Sequence, residues 1–452
     1  MKKQYQGTHK RLTRRDFFKN ASIGAGGMLL SALPIGASAY AGGSDKIKVA
    51  LVGCGGRGTG AANQALSTGD DVQLVAMADA FQNRLDNALE TLSNRYGDTD
   101  QLNVPKEHQF TGFDAYEKAI ALADVVILAT PPGFRPTHFE AAVEAGKHVF
   151  MEKPVATDAP GVRQVIEAGK VAKQKNLNVV LGLQRRYQNN YKEVINRINQ
   201  GEVGDIVSGQ IYWNSAGVWV NERQANQTEM EYQMRNWYYF NWLCGDHIVE
   251  QHIHQIDVAN WFIGEYPSSA QGMGGREIRK GNEYGEIFDH HFVEYTYPSG
   301  AVIASQCRHQ PNVMNRVSET FQGTKGTSDT DGGGRGLLRG YNGNVRYEHS
   351  SDQDPNPYQQ EHNELFAALR KGNVINQAEV GAKATMTAIM GRMATYSGQV
   401  IDWDKALNSN INIIPAKLGW NEQPPTLPDE NGNYPVPVPG VTEVLQNLSY
   451  KG

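Results

Sequence analysis

Only three of the 452 residues are cysteine, at positions 54, 244 and 307, and no CxxC or CxxxC spacing occurs. An odd count without paired spacing argues against a disulfide framework. It fits a chain that folds in a reducing compartment, even one that works outside it. Long apolar runs are missing too. None approaches the roughly 18 residues that a membrane-crossing helix needs, so no membrane span is expected. Positive charge is scarce beyond the N-terminus. Seven of the 43 Lys and Arg but one of the 48 Asp and Glu fall in residues 1–39, which leaves a net charge of −11 on the remainder. A chain that acidic is a poor match for phosphate backbones, which excludes nucleic acid as a partner. Internal repeats and low-complexity tracts are also absent. Glycine, by contrast, is plentiful at 48 residues, as expected of many tight turns and close backbone approaches to ligands. With 40% apolar residues the chain can bury a sizeable core, and its length implies two or three domains.

The first 39 residues read as an address. Thr13-Arg14-Arg15-Asp16-Phe17-Phe18-Lys19 is followed by a Gly/Ala-rich apolar stretch from Ala21 to Leu33 and by Ala37-Ser38-Ala39. A basic segment, an apolar segment and a small-residue cleavage site make a signal peptide. The paired arginines resemble a twin-arginine signal, which exports folded proteins, so a periplasmic location is expected.

Beyond the signal, short β-branched runs alternate with helical stretches. Lys46–Val52, Val72–Ala78, Val125–Ala129 and His148–Met151 read as buried strands, with helices over Gly60–Leu66 and Asn83–Tyr96. This alternation predicts an α/β fold with a doubly wound parallel sheet over residues 46–182. From 183 to 405 the pattern changes. Ile206–Trp213, Ala270–Ile278, His290–Tyr297, Ala301–Arg308 and Val317–Gln322 are strand-like and separated by turn signals, which predicts an open, mainly antiparallel sheet in an α+β domain. Helices are expected over Gln359–Arg370 and Glu379–Tyr396. Residues 406–452 read as a wrapping tail, rich in Pro, Gly and Asn between 421 and 440.

Gly53-Cys54-Gly55-Gly56-Arg57-Gly58 has the spacing G-x-G-x-x-G, directly after a strand and opening a helix, the context that a dinucleotide fingerprint requires. Gly53 permits the tight turn, Gly55 lets the backbone approach a pyrophosphate and Gly58 allows close helix–strand packing. The helix N-terminus offers free N–H groups to the phosphates. Asp79 ends the second strand, where a carboxylate accepts from ribose hydroxyls and repels a 2′-phosphate, so NAD is expected rather than NADP. Arg84, five residues on, is the residue that could reach a phosphate instead.

Ala129-Thr130-Pro131-Pro132 with His138, Ala145-Gly146-Lys147-His148-Val149, Glu152-Lys153-Pro154, His254–Trp261 and Tyr396-Ser397-Gly398 together resemble the Gfo/Idh/MocA family of glucose–fructose oxidoreductases and inositol dehydrogenases. The resemblance spans roughly residues 46 to 405 and extends to exported bacterial glycoside 3-dehydrogenases. It implies a Rossmann domain followed by an open sheet whose face often forms an oligomer contact, hence a homo-oligomer. It also implies an active site at the domain junction above the nicotinamide. Gly56, Arg57, Thr130, Pro131, His138, Glu152 and Lys153 would then join the glycines, Asp79 and Arg84 around the cofactor.

Hydride transfer from a secondary alcohol needs the carbinol C–H at the nicotinamide and a group that takes the hydroxyl proton. The resemblance puts Lys153 beside the nicotinamide, where a cation can stabilise the developing alkoxide. The second candidate cluster is His247-Ile-Val-Glu250-Gln-His252-Ile-His254-Gln-Ile-Asp257. The family carries Asp-x-x-x-His where this chain has Glu250-x-x-x-His254. A continuous helix here would put His247, Glu250, His254, Asp257 and Trp261 on one face and turn His252 away. His254 is assigned as acid/base, because imidazole titrates near neutrality, with Glu250 orienting it. His, Glu and His on one helical face can also bind zinc or manganese. The spacing is not H-E-x-x-H, and no metal is assigned. Arg186, Tyr187, Trp213, His252 and Asp257 are the candidate sugar contacts.

Two functions follow. One is NAD-dependent oxidation of a ring hydroxyl, C3 for instance, of a sugar or glycoside. The other is a glycosidase that uses the same oxidation transiently, followed by elimination, water addition and re-reduction. The intact Glu152-Lys153-Pro154 motif favours the dehydrogenase. With the cofactor motifs intact, an idle binding or scaffolding protein is the weakest reading.

Overall fold

The computed structural model describes residues 46–445, so the signal-peptide assignment lies outside the described residues. The first unit runs β1 (Ile47–Val52), α1 (Gly56–Leu66), β2 (Val72–Asp79), α2 (Gln82–Tyr96), β3 (Gln109–Thr111), α3 (Ala115–Ala121), β4 (Val125–Leu128), α4 (Arg135–Glu144), β5 (His148–Met151), α5 (Ala159–Gln174) and β6 (Val179–Leu181). All its strands are parallel, in the order β3-β2-β1-β4-β5-β6. Helices cover both faces of such a sheet, so β1 buries five of its six residues and shows no polar alternation. The strand order reverses between β1 and β4. A crevice therefore opens at their carboxyl ends, where doubly wound folds bind dinucleotides. Gly53, Asp79, Thr130, Glu152 and Gly182 all stand just past, or at, the carboxyl ends of their strands.

After α6 (Asn189–Asn199) comes a nine-stranded sheet. It contains β7 (Ile206–Ser215), β8 (Ser269–Gly275), β9 (His290–Thr296), β10 (Val302–His309), β11 (Arg316–Gly323), β12 (Gly326–Asp331), β13 (Gly336–Gly340), β14 (Val345–Glu348) and β15 (Ile401–Asp402), in the order β14-β13-β12-β11-β7-β10-β9-β8-β15. Only β7 and β10 run parallel; every other pairing is antiparallel. Burial alternates strictly along β9 and β10. One face packs on helices and the other stays half-exposed, as period-two strands require. This is the expected α/β fold with an open, mixed second sheet.

Between β7 and β8 lie α7 (Glu229–Arg235), α8 (Asn241–Cys244), α9 (His247–Glu250) and α10 (Ile253–Ile263). The continuous helix expected over 247–261 is therefore two helices. At their junction the N–H groups of Gln251 and His252 both bond the His247 carbonyl, at 3.0 and 3.1 Å. The second is a five-residue bond of π-helical type, which inserts a residue into the helical period and rotates all that follows.

α11 (Pro357–Lys371) and α12 (Ala378–Ser397) tie the units together. Leu365, Phe366 and Leu369 of α11 share a core with Val49 of β1 and Ala61 of α1. α12 is buried along almost its whole length. A Cβ on its Gly381 would stand 2.1 Å from Leu181 of β6, and one on Gly391 would stand 2.1 Å from the Tyr295 hydroxyl of β9. Glycine at these two points lets one helix touch both sheets. After α13 (Trp403–Leu407), residues 408–445 continue without helix or strand. They are anchored by the Ile413 N–H on Asp158, which also caps α5, and by the Thr426 hydroxyl on Glu286. Among the described residues no helix is long and apolar enough to cross a membrane.

Candidate active site

The crevice holds a cavity of about 500 Å³ lined by Gly53, Gly55, Gly56, Arg57, Gly58, Asp79, Arg84, Thr130, Pro131 and His138. The glycines divide the work. Gly53 has φ +96° and lies so close to the β4 turn that a Cβ would sit 2.5 Å from Ala129. A Cβ on Gly58 would meet the Gly53 carbonyl at 1.9 Å, so α1 could not start where it does. Nothing lies within 4 Å of the Cβ positions of Gly55 and Gly56, which leaves an open cradle at the α1 N-terminus for a pyrophosphate. The residues present thus fit a dinucleotide. Asp79 accepts from the Cys54 N–H at 2.7 Å and the Phe81 N–H at 2.9 Å, one bond per carboxylate oxygen, so each keeps a lone pair for a ribose hydroxyl. Burial raises its pKa, against the pull of those N–H groups. Asp79→Ala removes the charge that rejects a 2′-phosphate. The expected outcome is at least about a tenfold loss of NAD-over-NADP discrimination, read from the two Kd values, as for one lost charged contact.

A second cavity of about 280 Å³ continues from the first, sharing Arg57, Ala129, Thr130 and Trp237 with it. It lies at the junction of the two units and is lined by Glu152 and Lys153 past β5, Gln184 past β6, Trp213 of β7, and Glu250, Gln251 and His254. Lys153 Nζ donates to Glu250 Oε1 at 2.8 Å and to the Glu250 carbonyl. The two side chains are each 13% exposed. The His254 ring stacks on Trp213, with centroids 5.9 Å apart. Burial, then the nearby Lys153 cation, holds the His254 pKa far below its usual value, so the ring is neutral at pH 7. Arg57 ties the two cavities together: its Nε is 2.6 Å from Glu152 Oε1, and its guanidinium lies 5.0 Å from the Tyr358 ring centre. Several buried polar atoms of the lining have no protein partner, namely Arg135 Nε and Nη1, Gln184 Oε1, Trp213 Nε1 and His254 Nδ1. Buried polar groups are nearly always satisfied, so the wall of this cavity is short of hydrogen-bond partners.

The candidate residues separate into two groups. Lys153, Glu250, His254, Trp213, Glu152 and Arg57 come together in the inner cavity. Arg186, Tyr187, His252 and Asp257 line neither cavity. Arg186 forms a two-pronged ion pair with Asp257 at 2.8 Å, the Tyr187 hydroxyl bonds Gln377, and His252 Nε2 lies 2.7 Å from the Ser305 hydroxyl. Arg186, Asp257 and Tyr187 thus bond within the protein at the β6 turn and α10, while His252 Nδ1 has no partner. Glu250 bonds Lys153, and no hydrogen bond joins it to the His254 ring. His247 is carried away from Glu250 and His254 into a separate buried cluster, which removes the shared metal-binding face.

Sequence reasoning missed the cover of the cofactor groove. Trp219, Asn221, Met234, Arg235 and Trp237, between β7 and α8, line the larger cavity from the second unit. Phe81 and Phe113 wall its outer end, with Arg235 4.1 Å over the Phe81 ring and Trp420 of the tail 4.9 and 4.7 Å from the two phenyl rings. The density of aromatics between 212 and 242 was the available signal; for Tyr358 and Trp420 there was none.

A glycine cradle at a strand-order reversal, a carboxylate past β2 and a lysine–histidine pair at the inner end define a two-domain, pyridine-nucleotide-dependent oxidoreductase. Residues 47–183 match the Gfo/Idh/MocA oxidoreductase family's NAD-binding Rossmann fold, and residues 191–328 match the family's C-terminal domain. The chain belongs to the Gfo/Idh/MocA family, and its cofactor is NAD. It is similar to a glycosyl hydrolase family 109 protein of Shewanella pealeana, 25% identical over 245 residues, covering 50% of each chain. It is also similar to an inositol 2-dehydrogenase of Rhizobium meliloti, 27% identical over 234 residues, covering 52% of this chain and 60% of that one. The matched segment thus spans half to three-fifths of the length of these relatives. Among solved structures, scyllo-inositol dehydrogenase from Lactobacillus casei with NAD(H) and scyllo-inositol superposes with a TM-score of 0.60. It is 20% identical and covers 80% of this chain and all of that one, a likeness of fold.

Proposed function

We propose that this protein is an exported dehydrogenase that oxidises a ring hydroxyl, C3 in our reading, of a sugar or glycoside bound in the inner cavity. The observation that carries the reading is the set of orphaned buried donors and acceptors around the Lys153–Glu250 pair and His254. Bound NAD supplies the hydride acceptor. Lys153 Nζ, aligned by Glu250, donates to the reacting hydroxyl oxygen and stabilises the charge that develops there. His254, kept neutral by burial, has a ring lone pair free to take the hydroxyl proton. The same burial makes it a weak base, so the lysine carries more of the barrier. Trp213 packs on the imidazole and walls the cavity beside it. Trp237 closes the junction between the two cavities and keeps water from the reacting carbon.

The similarity to a family 109 glycosyl hydrolase favours a second reading, in which the same oxidation is transient and the aglycone leaves. Mass analysis of products from candidate glycosides, with and without added NAD, separates the two. A keto-glycoside two mass units lighter supports the dehydrogenase; free sugar plus aglycone without net oxidation supports the glycosidase. Neither product from a broad glycoside panel would overturn both.

The proposal includes periplasmic location, supported by Arg14-Arg15 and Ala37-Ser38-Ala39. The variant with both Arg14 and Arg15 changed to lysine is expected to accumulate as uncleaved precursor in the cytoplasm. Normal export of it would refute the assignment. A homo-oligomer formed through the half-exposed face of the second sheet, with Phe292 of β9 at its centre, completes the proposal.

A further inference from the structure

His247 has left the catalytic cavity, and what it has joined is unusual. Asp246, His247 and His291 are all buried, and one ligand-type atom from each lies within 4.8 Å of the others. Neither ring nitrogen of His247 has a hydrogen-bond partner. A neutral imidazole presents one N–H and one lone pair, and leaving both unmade in the interior is costly. Its surroundings are other imidazoles: His309 stacks on it at 4.4 Å, and His291 meets it edge-on at 4.8 Å.

The tautomer of His291 sharpens the point. The Thr395 hydroxyl, on α12, gives its hydrogen to the Arg392 carbonyl at 3.0 Å, so it accepts from His291 Nδ1 at 2.9 Å. With its proton on Nδ1, a neutral His291 aims the Nε2 lone pair at Asp246 Oδ2, 3.2 Å away. Two lone pairs at that distance repel unless a proton or a metal ion lies between them. Asp246 is fixed by its own hydrogen bonds, one of them from the His247 N–H to Oδ1 at 2.5 Å. Its Oδ2 accepts from the Phe288 N–H at 3.0 Å and the Tyr396 hydroxyl at 2.5 Å, and its Oδ1 lies 3.8 Å from His247 Nε2. Its backbone has φ +72° and ψ 160°, a region that non-glycine residues occupy only under constraint, often at functional sites.

From this we infer that Asp246, His247 and His291 bind a divalent transition metal, zinc by preference, as three protein ligands with water in the fourth position. Two imidazoles and one carboxylate are a usual zinc set, and the Thr395 and Tyr396 hydroxyls are the outer partners that such ligands need. None of the three lines either cavity, so the ion stands apart from the reaction. Its effect is on position. It pins the start of α9, three residues before Glu250, and links it to β9 through His291. The inference is independent of the substrate and of the proposed chemistry.

The test is elemental analysis of the full chain, purified after growth with added zinc and dialysed exhaustively. About one zinc per chain is expected, with dipicolinate treatment lowering Tm by several degrees and zinc restoring it, since metal binding is linked to folding. His247→Leu and His291→Leu are expected to lose the metal, while His254→Ala, on the catalytic side, keeps it. Where the leucine variants fail to fold, cobalt loaded into the chelated wild type decides, through the visible bands of nitrogen- and oxygen-ligated cobalt. Metal-free wild type whose Tm responds to neither chelator nor zinc would overturn the inference and make Asp246–His291 an imidazolium–carboxylate pair. Zinc retained in both leucine variants would overturn it as well.

Discussion

Lys153→Met is expected to lower turnover by about a hundred- to a thousandfold, the scale for removing an oxyanion donor from a water-poor site. Methionine keeps the length and apolar stem of lysine but brings no charge and no donor. It leaves the Glu250 carboxylate, bonded at 2.8 Å in the native cavity, without its cation. The loss falls on kcat more than on KM, because the interaction strengthens as charge develops on the reacting oxygen. NAD affinity falls by less than about tenfold, since the cradle at Gly55 and Gly56 is untouched. Steady-state kinetics and calorimetric titration with NAD check both statements. His254→Ala should cost less than Lys153→Met, because burial already makes that imidazole a weak base. Near-normal turnover in Lys153→Met would remove the lysine from the reaction.

The second large effect is on stability in mild acid. His138, His252 and His309 are buried, and each has an arginine nearby: Arg135, Arg185 and Arg279 respectively. Burial first, and these cations second, hold all three at about 3. Their folded pKa values lie below the unfolded value near 6.5. Below pH 6.5 the unfolded chain therefore binds more protons, and stability is lost as pH falls. Between pH 7.5 and 5.5 the three together cost about 4 kcal/mol, or about 5 °C in Tm for a chain of this size. Glu361 acts in the opposite direction, because burial and neighbouring Glu152 raise it well above its ordinary value and it gains its proton in the folded state first. The depressed imidazoles of His254 and His362 add to the loss on acidification. Differential scanning calorimetry at the two pH values reads the sum. An unchanged or higher Tm at pH 5.5 would show that these histidines are charged or exposed in the native state.

What was legible in the sequence is what is local. The Gly53–Gly58 turn, the strand before it and Asp79 at the end of β2 lie within thirty or so residues and carry a recognisable spacing, and period-two patterning announced β9 and β10. The inner cavity was legible only where a motif marked it, at Glu152-Lys153 and Glu250-x-x-x-His254. One backbone event defeated the helical argument. The wide turn at Gln251 and His252 shifts the period by a residue, so the expected common face of His247, Glu250 and His254 does not exist. Arg186 and Asp257 looked like separate sugar ligands because their mutual ion pair joins residues 71 positions apart. Tyr358 and Trp420 reach the groove's walls through tertiary packing that no local pattern records.

The central claim is that a ring hydrogen of a sugar leaves as hydride from the cavity of Lys153 and His254. A single turnover of the NAD-loaded protein with a glycoside deuterated at C3 tests it directly. The expected product is reduced nicotinamide carrying the deuterium at C4, formed more slowly than with the unlabelled glycoside and slowed at least about a hundredfold further by Lys153→Met. Conversion of the glycoside with no deuterium ever reaching the nicotinamide would contradict it.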